Sequence, residues 1–204
     1  MSEYRRSAAF RNETMSAIDL IRNPSGAPRV SVPIRTQRLL LRPFEDADVQ
    51  GITEMVADPE TTRWIGGVKS AAEAAASITR MKESFKGRGW GTLAVIPHDI
   101  SQCIGYCGVR PLAHTQEIEL AFGLDKAYWN RGFGMEASRA CMDATFKALP
   151  LESIVATVYP GNTRSIAVLK KLGLKEESRV FGVWPDSVAL LFRITRGDWA
   201  KRSA

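Results

Sequence analysis

Apolar and polar positions along residues 38–194 follow two periods, which divide this region into strands and helices. Short runs rich in Val, Ile, Leu and Phe between turn residues predict strands, because an extended chain points successive side chains to opposite faces. The predicted strands are residues 38–44, 90–96, 102–112, 117–124, 153–159, 175–183 and 188–194. Apolar residues spaced by three and four predict helices over residues 46–57, from 70 toward 85, from about 135 to 149 and over 162–172.

Capping residues mark several helix ends. Ser70 is followed three residues later by Glu73, which is the spacing of a capping box. Asn162 is an N-cap candidate, and Gly173 is the expected stop of the same helix. Residues 90–112 predict a hairpin, whereas the strand, helix and strand over residues 117–159 imply a parallel crossover.

Residues 129–137, Trp-Asn-Arg-Gly-Phe-Gly-Met-Glu-Ala, lie between a predicted strand and a predicted helix. Glycines at 132 and 134 let the backbone approach a ligand, and the helix that follows offers unpaired N–H groups at its positive end. The segment therefore predicts a pyrophosphate cradle. It lacks the Gly-Lys-Ser/Thr ending of a Walker loop, and Ala137 stands at the third glycine of a dinucleotide fingerprint, where alanine is tolerated. Glycine spacing alone leaves the nucleotide undecided.

The composition is that of an ordinary globular protein. A length of 204 residues with 45% hydrophobic content predicts one domain over residues 33–204, preceded by a polar, Arg-rich extension over residues 1–32. The sequence contains neither an apolar run long enough to span a membrane nor an apolar secretory core, which favours a cytoplasmic location. The net charge of +6 is scattered, so direct nucleic-acid binding is disfavoured and an acidic small molecule suits the chain better.

The three cysteines predict no metal site, because no second cysteine pair or closely spaced histidine completes a ligand set. Cys103 and Cys107 are four residues apart, a spacing that predicts one shared face of a strand. Cys107 and Cys141 are predicted to be bystanders in any chemistry.

Four segments together resemble the GNAT acyltransferases, most closely the branch typified by ribosomal-protein N-terminal alanine acetyltransferases. In chain order they are residues 36–44, 119–125, 128–137 and 162–174. The resemblance implies an α/β fold with a mixed central sheet of about seven strands, splayed between strands 4 and 5 and flanked by about four helices. It also implies acetyl-CoA as the acetyl donor, with the pantetheine arm in the gap of the splay.

The resemblance implies a set of cofactor-binding residues on the two strand ends, the glycine loop and the next helix. They are Phe122, Gly123, Leu124, Asn130, Arg131, Gly132, Phe133, Gly134, Met135, Asn162 and Ser165. Trp129 departs from the Gln or Arg that usually opens the family's loop, which removes one side-chain contact and keeps the backbone cradle. Lys170 and Lys171 are candidates for the adenosine end of CoA, and Glu136 is an acidic residue beside the expected phosphates.

Acetyl transfer to an amine needs a neutral nucleophile, a polarised carbonyl and a proton for the leaving thiolate. Glu119 is the candidate general base, because partial burial near the splay would raise the pKa of its carboxyl. The alternatives are that Glu119 pairs with an arginine or only binds the substrate ammonium. Asp186 on the closing hairpin is a weaker rival base.

Ser165 matches, by resemblance, the residue that serves as acid or thiol partner in the ribosomal-protein branch. Tyr159 is a second candidate, and a merely local helix-start role for Ser165 stays open. A backbone N–H near Phe122 or Gly123 is the candidate for holding the oxyanion.

The acceptor is expected to be a primary amine, either a protein N-terminus or a small molecule such as an antibiotic or a polyamine. A non-catalytic acyl-CoA-binding module is the alternative from another class. Trp64, Trp90 and Trp184 either line an acceptor groove or belong to the core. The oligomeric state is left open, with a homodimer as one candidate.

Overall fold

The structure is a computed structural model that describes residues 28–113, 115–181 and 188–203. Within these residues a single mixed sheet has the order β1-β2-β3-β4-β5-β6-β8-β7. Its strands are β1 Ile34–Arg35, β2 Leu39–Arg42, β3 Thr92–Pro97, β4 Gly105–Pro111, β5 Ile118–Leu124, β6 Ser153–Val158, β7 Lys175–Phe181 and β8 Val188–Thr195. Neighbouring strands are antiparallel except β5 and β6, which run parallel.

Six α-helices surround this sheet in the described part of the chain. They are α1 Val49–Ala57, α2 Pro59–Thr62, α3 Ala71–Arg88, α4 Phe133–Ala148, α5 Thr163–Leu172 and α6 Arg196–Ser203. The side chain of Ser70 accepts from the N–H of Glu73 at the start of α3, and both halves of the predicted capping box are present. Asn162 caps α5 through its bond from the N–H of Ser165, and Gly173 ends that helix in the left-handed region. No described helix combines the length and the apolar character that crossing a membrane requires.

Strands β5 and β6 diverge almost at once. Their register contains one pair, Glu119 with Val155. By contrast, six consecutive residues of β6 pair with β8 on its other side, and β4 pairs along all seven residues of β5. The sheet is therefore continuous at Glu119 and open beyond it, which confirms the predicted splay.

Two apolar clusters pack helices against the sheet, and a third consists of strand and loop residues alone. The larger includes residues of α4 and α5, with Phe133, Met142 and Leu169 buried against the strands. The smaller includes residues of α1 and α3, such as Met55 and Ile78. Because each helix buries one apolar stripe, the periodicity of three and four in the sequence was sufficient to predict these layers.

The fold agrees with the predicted architecture, with several additions. Strand β1 and helices α2 and α6 were not predicted, and the helix expected over residues 46–57 opens with a short 3₁₀ turn at Asp46–Asp48. All seven predicted strands and the parallel pairing are present.

The prediction that Cys103 and Cys107 share a face is wrong. Strand β4 begins at Gly105, so Cys103 precedes the strand and packs in the smaller cluster, whereas Cys107 packs in the larger one. The boundary predicted at residue 32 stays a prediction, because residues 1–27 lie outside the described part. Val30, just before that boundary, is buried, and its N–H donates to the carbonyl of Gly89.

Candidate active site

The glycine loop between β5 and α4 is held in a left-handed conformation. Asn130 has φ 60°, the one positive value among described non-glycine residues, and Gly132 has φ 80° as the N-cap of α4. The backbone N–H groups of the first turn of a helix have no intrahelical partner, so the groups that follow Gly132 are available to an anion. This local geometry is the one that the glycine spacing predicted.

Trp129 ties the loop to its neighbours. Its indole Nε1 donates to the carbonyl of Leu124 at 2.7 Å, which fixes the loop to the end of β5. The guanidinium of Arg164 on α5 lies 4.7 Å from the centre of the Trp129 ring. The departure from the family's Gln or Arg therefore replaces a possible ligand contact with a structural anchor.

Arg38 and Glu136 brace the start of α4. Glu136 Oε1 accepts from Thr36 Oγ1 at 2.6 Å and from the Arg38 N–H at 2.8 Å, and its Oε2 accepts from Arg38 Nε at 2.7 Å. Arg38 also donates through Nη1 to the carbonyl of Arg131 at 2.8 Å. Burial alone would raise the pKa of Glu136, but these hydrogen bonds outweigh it and leave that pKa lowered. The acidic residue beside the loop is thus neutralised by its own contacts.

A cavity of about 690 Å³ opens beside the loop, and we call it the loop cleft. Every predicted cofactor-binding residue except Arg131 lines it. The side chain of Arg131 instead lies 5.3 Å from the centre of the Tyr128 ring. Lys171 lines the cleft and Lys170 does not.

The charge of the loop cleft suits a polyanion. Its basic lining residues are Arg38, Arg139, Arg164 and Lys171, against the single acidic residue Glu136, which is already paired. Together with the free N–H groups of α4, this charge fits a pyrophosphate-bearing molecule. Arg38, Arg139 and Arg164 come from three separate parts of the chain and form no motif, so local sequence did not predict that they meet in one cleft.

A second cavity of about 250 Å³ lies next to the loop cleft, and we call it the Glu119 pocket. Glu119 is 4% exposed and lines it, at the register pair where β5 and β6 diverge. Its Oε1 accepts from Arg110 Nε at 2.8 Å, and its Oε2 accepts from Thr157 Oγ1 at 2.9 Å. The arginine pairing that the sequence left open as an alternative is therefore present, with Arg110 directly opposite Glu119 in the β4–β5 register.

Tyr106 completes the wall of the Glu119 pocket. A side chain at Gly123 would begin 2.9 Å from the Tyr106 ring and hydroxyl, so the tyrosine occupies the space that this glycine leaves. Burial raises the pKa of the Tyr106 hydroxyl, and the nearby charge of Arg110 opposes that rise. The hydroxyl is therefore a neutral donor at physiological pH. No sequence signal identified Tyr106, because its position depends on the register of β4 against β5.

The two cavities share part of their walls. Trp64, Ile65, Phe122, Asn162 and Ser165 line both. The hydroxyl of Ser165 bonds none of the residues described, and its backbone N–H donates to Asn162 Oδ1 at 3.2 Å. Tyr159 lines the Glu119 pocket only, with its ring 5.8 Å from that of Trp64. The residues at the splay thus connect a cleft suited to an anion with a pocket that holds a carboxylate.

Other predicted residues lie away from these cavities. Trp90 is fully buried in the larger cluster, so it belongs to the core. Cys107 and Cys141 are also buried, and the pKa of the Cys141 thiol is raised well above its usual value, first by its hydrogen bond with Cys107 and then by burial. Asp186 and Trp184 lie outside the described residues.

Comparison with known proteins identifies the family. A family model described as an acetyltransferase (GNAT) domain matches residues 38–175, which is more than half of the chain. The chain belongs to the GNAT acetyltransferases. It is therefore an acyltransferase, and GNAT acetyltransferases use acetyl-CoA.

This GNAT acetyltransferase has relatives of the same kind. It is 31% identical over 145 residues to the uncharacterized N-acetyltransferase YnaD of Bacillus subtilis, which covers 71% of this chain and 83% of the relative. A ribosomal-protein-S5-alanine acetyltransferase from Vibrio fischeri has a TM-score of 0.67 at 18% identity, covering 83% of this chain and 99% of that one. The aminoglycoside acetyltransferase AAC(6')-Ib, solved with coenzyme A, has a TM-score of 0.69 at 17% identity, covering 81% and 99%. These two structures share the fold of this GNAT acetyltransferase and differ from each other in acceptor.

Proposed function

We propose that this GNAT acetyltransferase transfers the acetyl group of acetyl-CoA to a primary amine by direct attack in a ternary complex. One observation carries the proposal: the loop cleft and the Glu119 pocket share five wall residues at the splay of the sheet. A donor in the cleft and an acceptor in the pocket would meet there, so the acetyl group would pass between them without a carrier residue.

The loop cleft is the proposed donor site. The N–H groups after Gly132 and the basic residues Arg38, Arg139 and Lys171 would hold the phosphates. Bound acetyl-CoA would supply an activated thioester carbonyl at the splay. Beyond Glu119 the inner edges of β5 and β6 have no strand partner, so a backbone N–H near Phe122 or Gly123 is available to the developing oxyanion.

The reaction forms one bond between the acceptor nitrogen and the acetyl carbon and breaks the bond between that carbon and the CoA sulfur. The substrate ammonium loses two protons and keeps one as the amide N–H; the departing thiolate gains one of the two, and the other is released to solvent. Glu119 lines the pocket and would hold the substrate ammonium and take its proton directly or through water. Ser165 is the proposed proton donor to the thiolate, because this residue lines both cavities.

Direct transfer is favoured over a covalent enzyme intermediate by the position of the thiols. Cys107 and Cys141 are 0% and 2% exposed, and neither lines either cavity. Cys103 is also buried, and burial raises the pKa of its thiol to about 11, which disfavours the nucleophilic thiolate. Within the described residues no cysteine is therefore placed to accept the acetyl group.

The test is an acceptor screen on the full chain. The protein is incubated with acetyl-CoA and a panel of peptides and small primary amines, and products are read by mass. Glu119→Gln is expected to lower kcat by roughly 10²- to 10⁴-fold, the usual contribution of general acid–base catalysis, and Ser165→Ala by about tenfold. Glu117→Gln is the matched control, since Glu117 pairs with Arg193 and lines neither cavity.

Binding of CoA separates the proposal from the alternative of a non-catalytic module. Calorimetry should give the same Kd for CoA in the wild type and in Glu119→Gln, because Glu119 does not line the loop cleft. Tight CoA binding without acetylation of any amine in the panel would instead support the acyl-CoA-binding module and refute the proposed reaction.

A further inference from the structure

The charged residues of the Glu119 pocket restrict what it can accept. Among the described lining residues there are three, the cations Lys69 and Arg110 and the anion Glu119. The pocket wall thus carries one positive charge more than the single carboxylate balances. A polycationic acceptor, such as an aminoglycoside or a polyamine, would bring several further positive charges against this wall.

Arg110 and Lys69 have N–H groups that donate no hydrogen bond within the described residues. Arg110 donates to Glu119 through Nε, and its side chain is 53% exposed. Within the described residues neither its two terminal nitrogens nor Lys69 Nζ has a hydrogen bond, although the charge of Lys69 acts on Glu73. Both residues line the cavity that also contains the proposed base. Guanidinium and ammonium groups in this arrangement are ligands for a carboxylate.

Glu119 and Arg110 present a negative and a positive charge side by side, as an α-amino acid does. An α-amino acid carries its ammonium and its carboxylate on one carbon. An acceptor whose ammonium lies at Glu119 would therefore place its own carboxylate beside the terminal nitrogens of Arg110. Each charge of the ligand would then lie next to its opposite.

The remaining walls and the size of the pocket indicate a small, apolar side chain. The apolar lining includes Ile52, Val56, Ile65, Ala74, Met81 and Leu120. The volume of about 250 Å³ is below the range of roughly 300–1,000 Å³ of pockets that hold drug-sized ligands. An uncharged side chain of moderate size fits such a wall, whereas a trisaccharide-sized antibiotic does not.

Resting on the acetyl transfer proposed above, we propose that the acceptor is a small α-amino acid with an apolar side chain. Glu119 takes the amine, and Arg110 and Lys69 take the carboxylate. The reaction joins the α-nitrogen to the acetyl carbon, breaks the thioester bond and releases CoA thiol, one proton and an N-acetyl amino acid.

The test compares acceptors that differ only in the carboxylate. Initial rates are measured at saturating acetyl-CoA for leucine, methionine and phenylalanine and for the α-amide of each, which keeps the amine and the side chain. Loss of hydrogen bonds to a charged group predicts that kcat/KM for the acid exceeds that for the amide by roughly ten- to a hundredfold. Spermidine and leucine-initiated peptides, whose carboxylates are distant, should be weak acceptors.

A variant pair assigns this preference to the pocket. Lys69→Gln should reduce the acid-to-amide ratio by about three- to tenfold, mainly through a higher KM for the acid. Lys86→Gln is the matched control, because Lys86 is an exposed lysine of α3 that does not line the pocket. Thermal melts of both variants check that the fold is kept.

The outcomes separate the two proposals. Equal rates for acids and amides, or faster rates for peptides or spermidine, would overturn the amino acid acceptor and leave acetyl transfer in place. An unchanged ratio in folded Lys69→Gln would exclude Lys69 from carboxylate recognition and contradict the assignment. Absence of any acetylated amine, with CoA still bound, would overturn the proposed function itself.

Discussion

The loop cleft and the Glu119 pocket lie on adjoining parts of the sheet and are built in opposite ways. The cleft takes half of its lining residues from one stretch of the chain, residues 122–136, and much of its chemistry from backbone N–H groups. The pocket takes its wall from α1, α3, α5, the strands β3 to β6 and the segment between α2 and α3. A binding site made of backbone is preserved as a local motif, whereas one made of dispersed side chains can change while the fold is kept. The two related structures are named for acceptors as different as a ribosomal protein and an aminoglycoside, so one fold is compatible with different acceptors.

After the loss of kcat expected for Glu119→Gln, the largest effect is expected from breaking the backbone geometry of the cleft with Gly132→Val. A branched side chain at φ 80° is strained, and it would begin 3.2 Å from Arg38 Nη2. Backbone strain of about 1–3 kcal/mol predicts a loss of CoA affinity of roughly tenfold to a hundredfold, measured by calorimetry. Gly87→Val is the control, because its side chain would meet nothing within 4 Å. An unchanged Kd in Gly132→Val would mean that the loop does not hold the donor through its left-handed turn.

A smaller effect is expected from Thr157→Val in the Glu119 pocket. The substitution keeps the shape and removes the hydroxyl that donates to Glu119 Oε2. Losing a hydrogen bond to a charged group predicts a fall in kcat/KM of roughly tenfold, with CoA affinity kept. A fall in CoA affinity instead would show that the two cavities are not independent.

The third expected effect is on stability rather than on transfer. The fold lowers the pKa of Glu136 from its ordinary value of 4.5, so the contribution of this carboxylate to stability is complete above that value and is lost as the pH falls through the folded pKa. Wild type should therefore have a higher Tm than Glu136→Gln at neutral pH, and the gap should narrow below about pH 4.5. Melting curves from pH 7 to pH 3 provide the measurement. A Tm difference that is constant with pH would show that the charge of Glu136 does not stabilise the loop.

The smallest effect is expected from replacing both Cys107 and Cys141 by alanine. These thiols contact each other in the core and line neither cavity, so transfer should stay within about twofold of wild type once folding is checked. Complete loss of transfer in a folded variant that still binds CoA would overturn direct attack.

Local sequence predicted the elements and the loop, because their signals lie within a few residues of each other. Ser70 and Glu73, or Asn162 and Gly173, act through the backbone beside them, and the structure has both. The partners of Glu119 could not be predicted in this way. Arg110 meets it across a hairpin and Thr157 across the parallel crossover, so each contact depends on a register that local pattern does not determine.

The contacts that hold the start of α4 were even less predictable from local sequence. Glu136 is an acidic residue beside the expected phosphates, and Arg38, 98 residues away, pairs with it. A general preference for pairing buried carboxylates favours such a partner, but it does not say which of many arginines supplies it. Asp186 and Trp184, outside the described residues, remain predictions.

The single register pair between β5 and β6 also has a consequence for the sheet itself. Past Glu119 and Val155 the facing edges of these two strands have no strand partner, in the middle of an otherwise continuous sheet. An extended molecule with its own amide groups could act there as a substitute strand, in the manner of β-strand addition. The sheet would then be continuous only in the complex. Binding of the donor in the gap between β5 and β6 would therefore stabilise the fold.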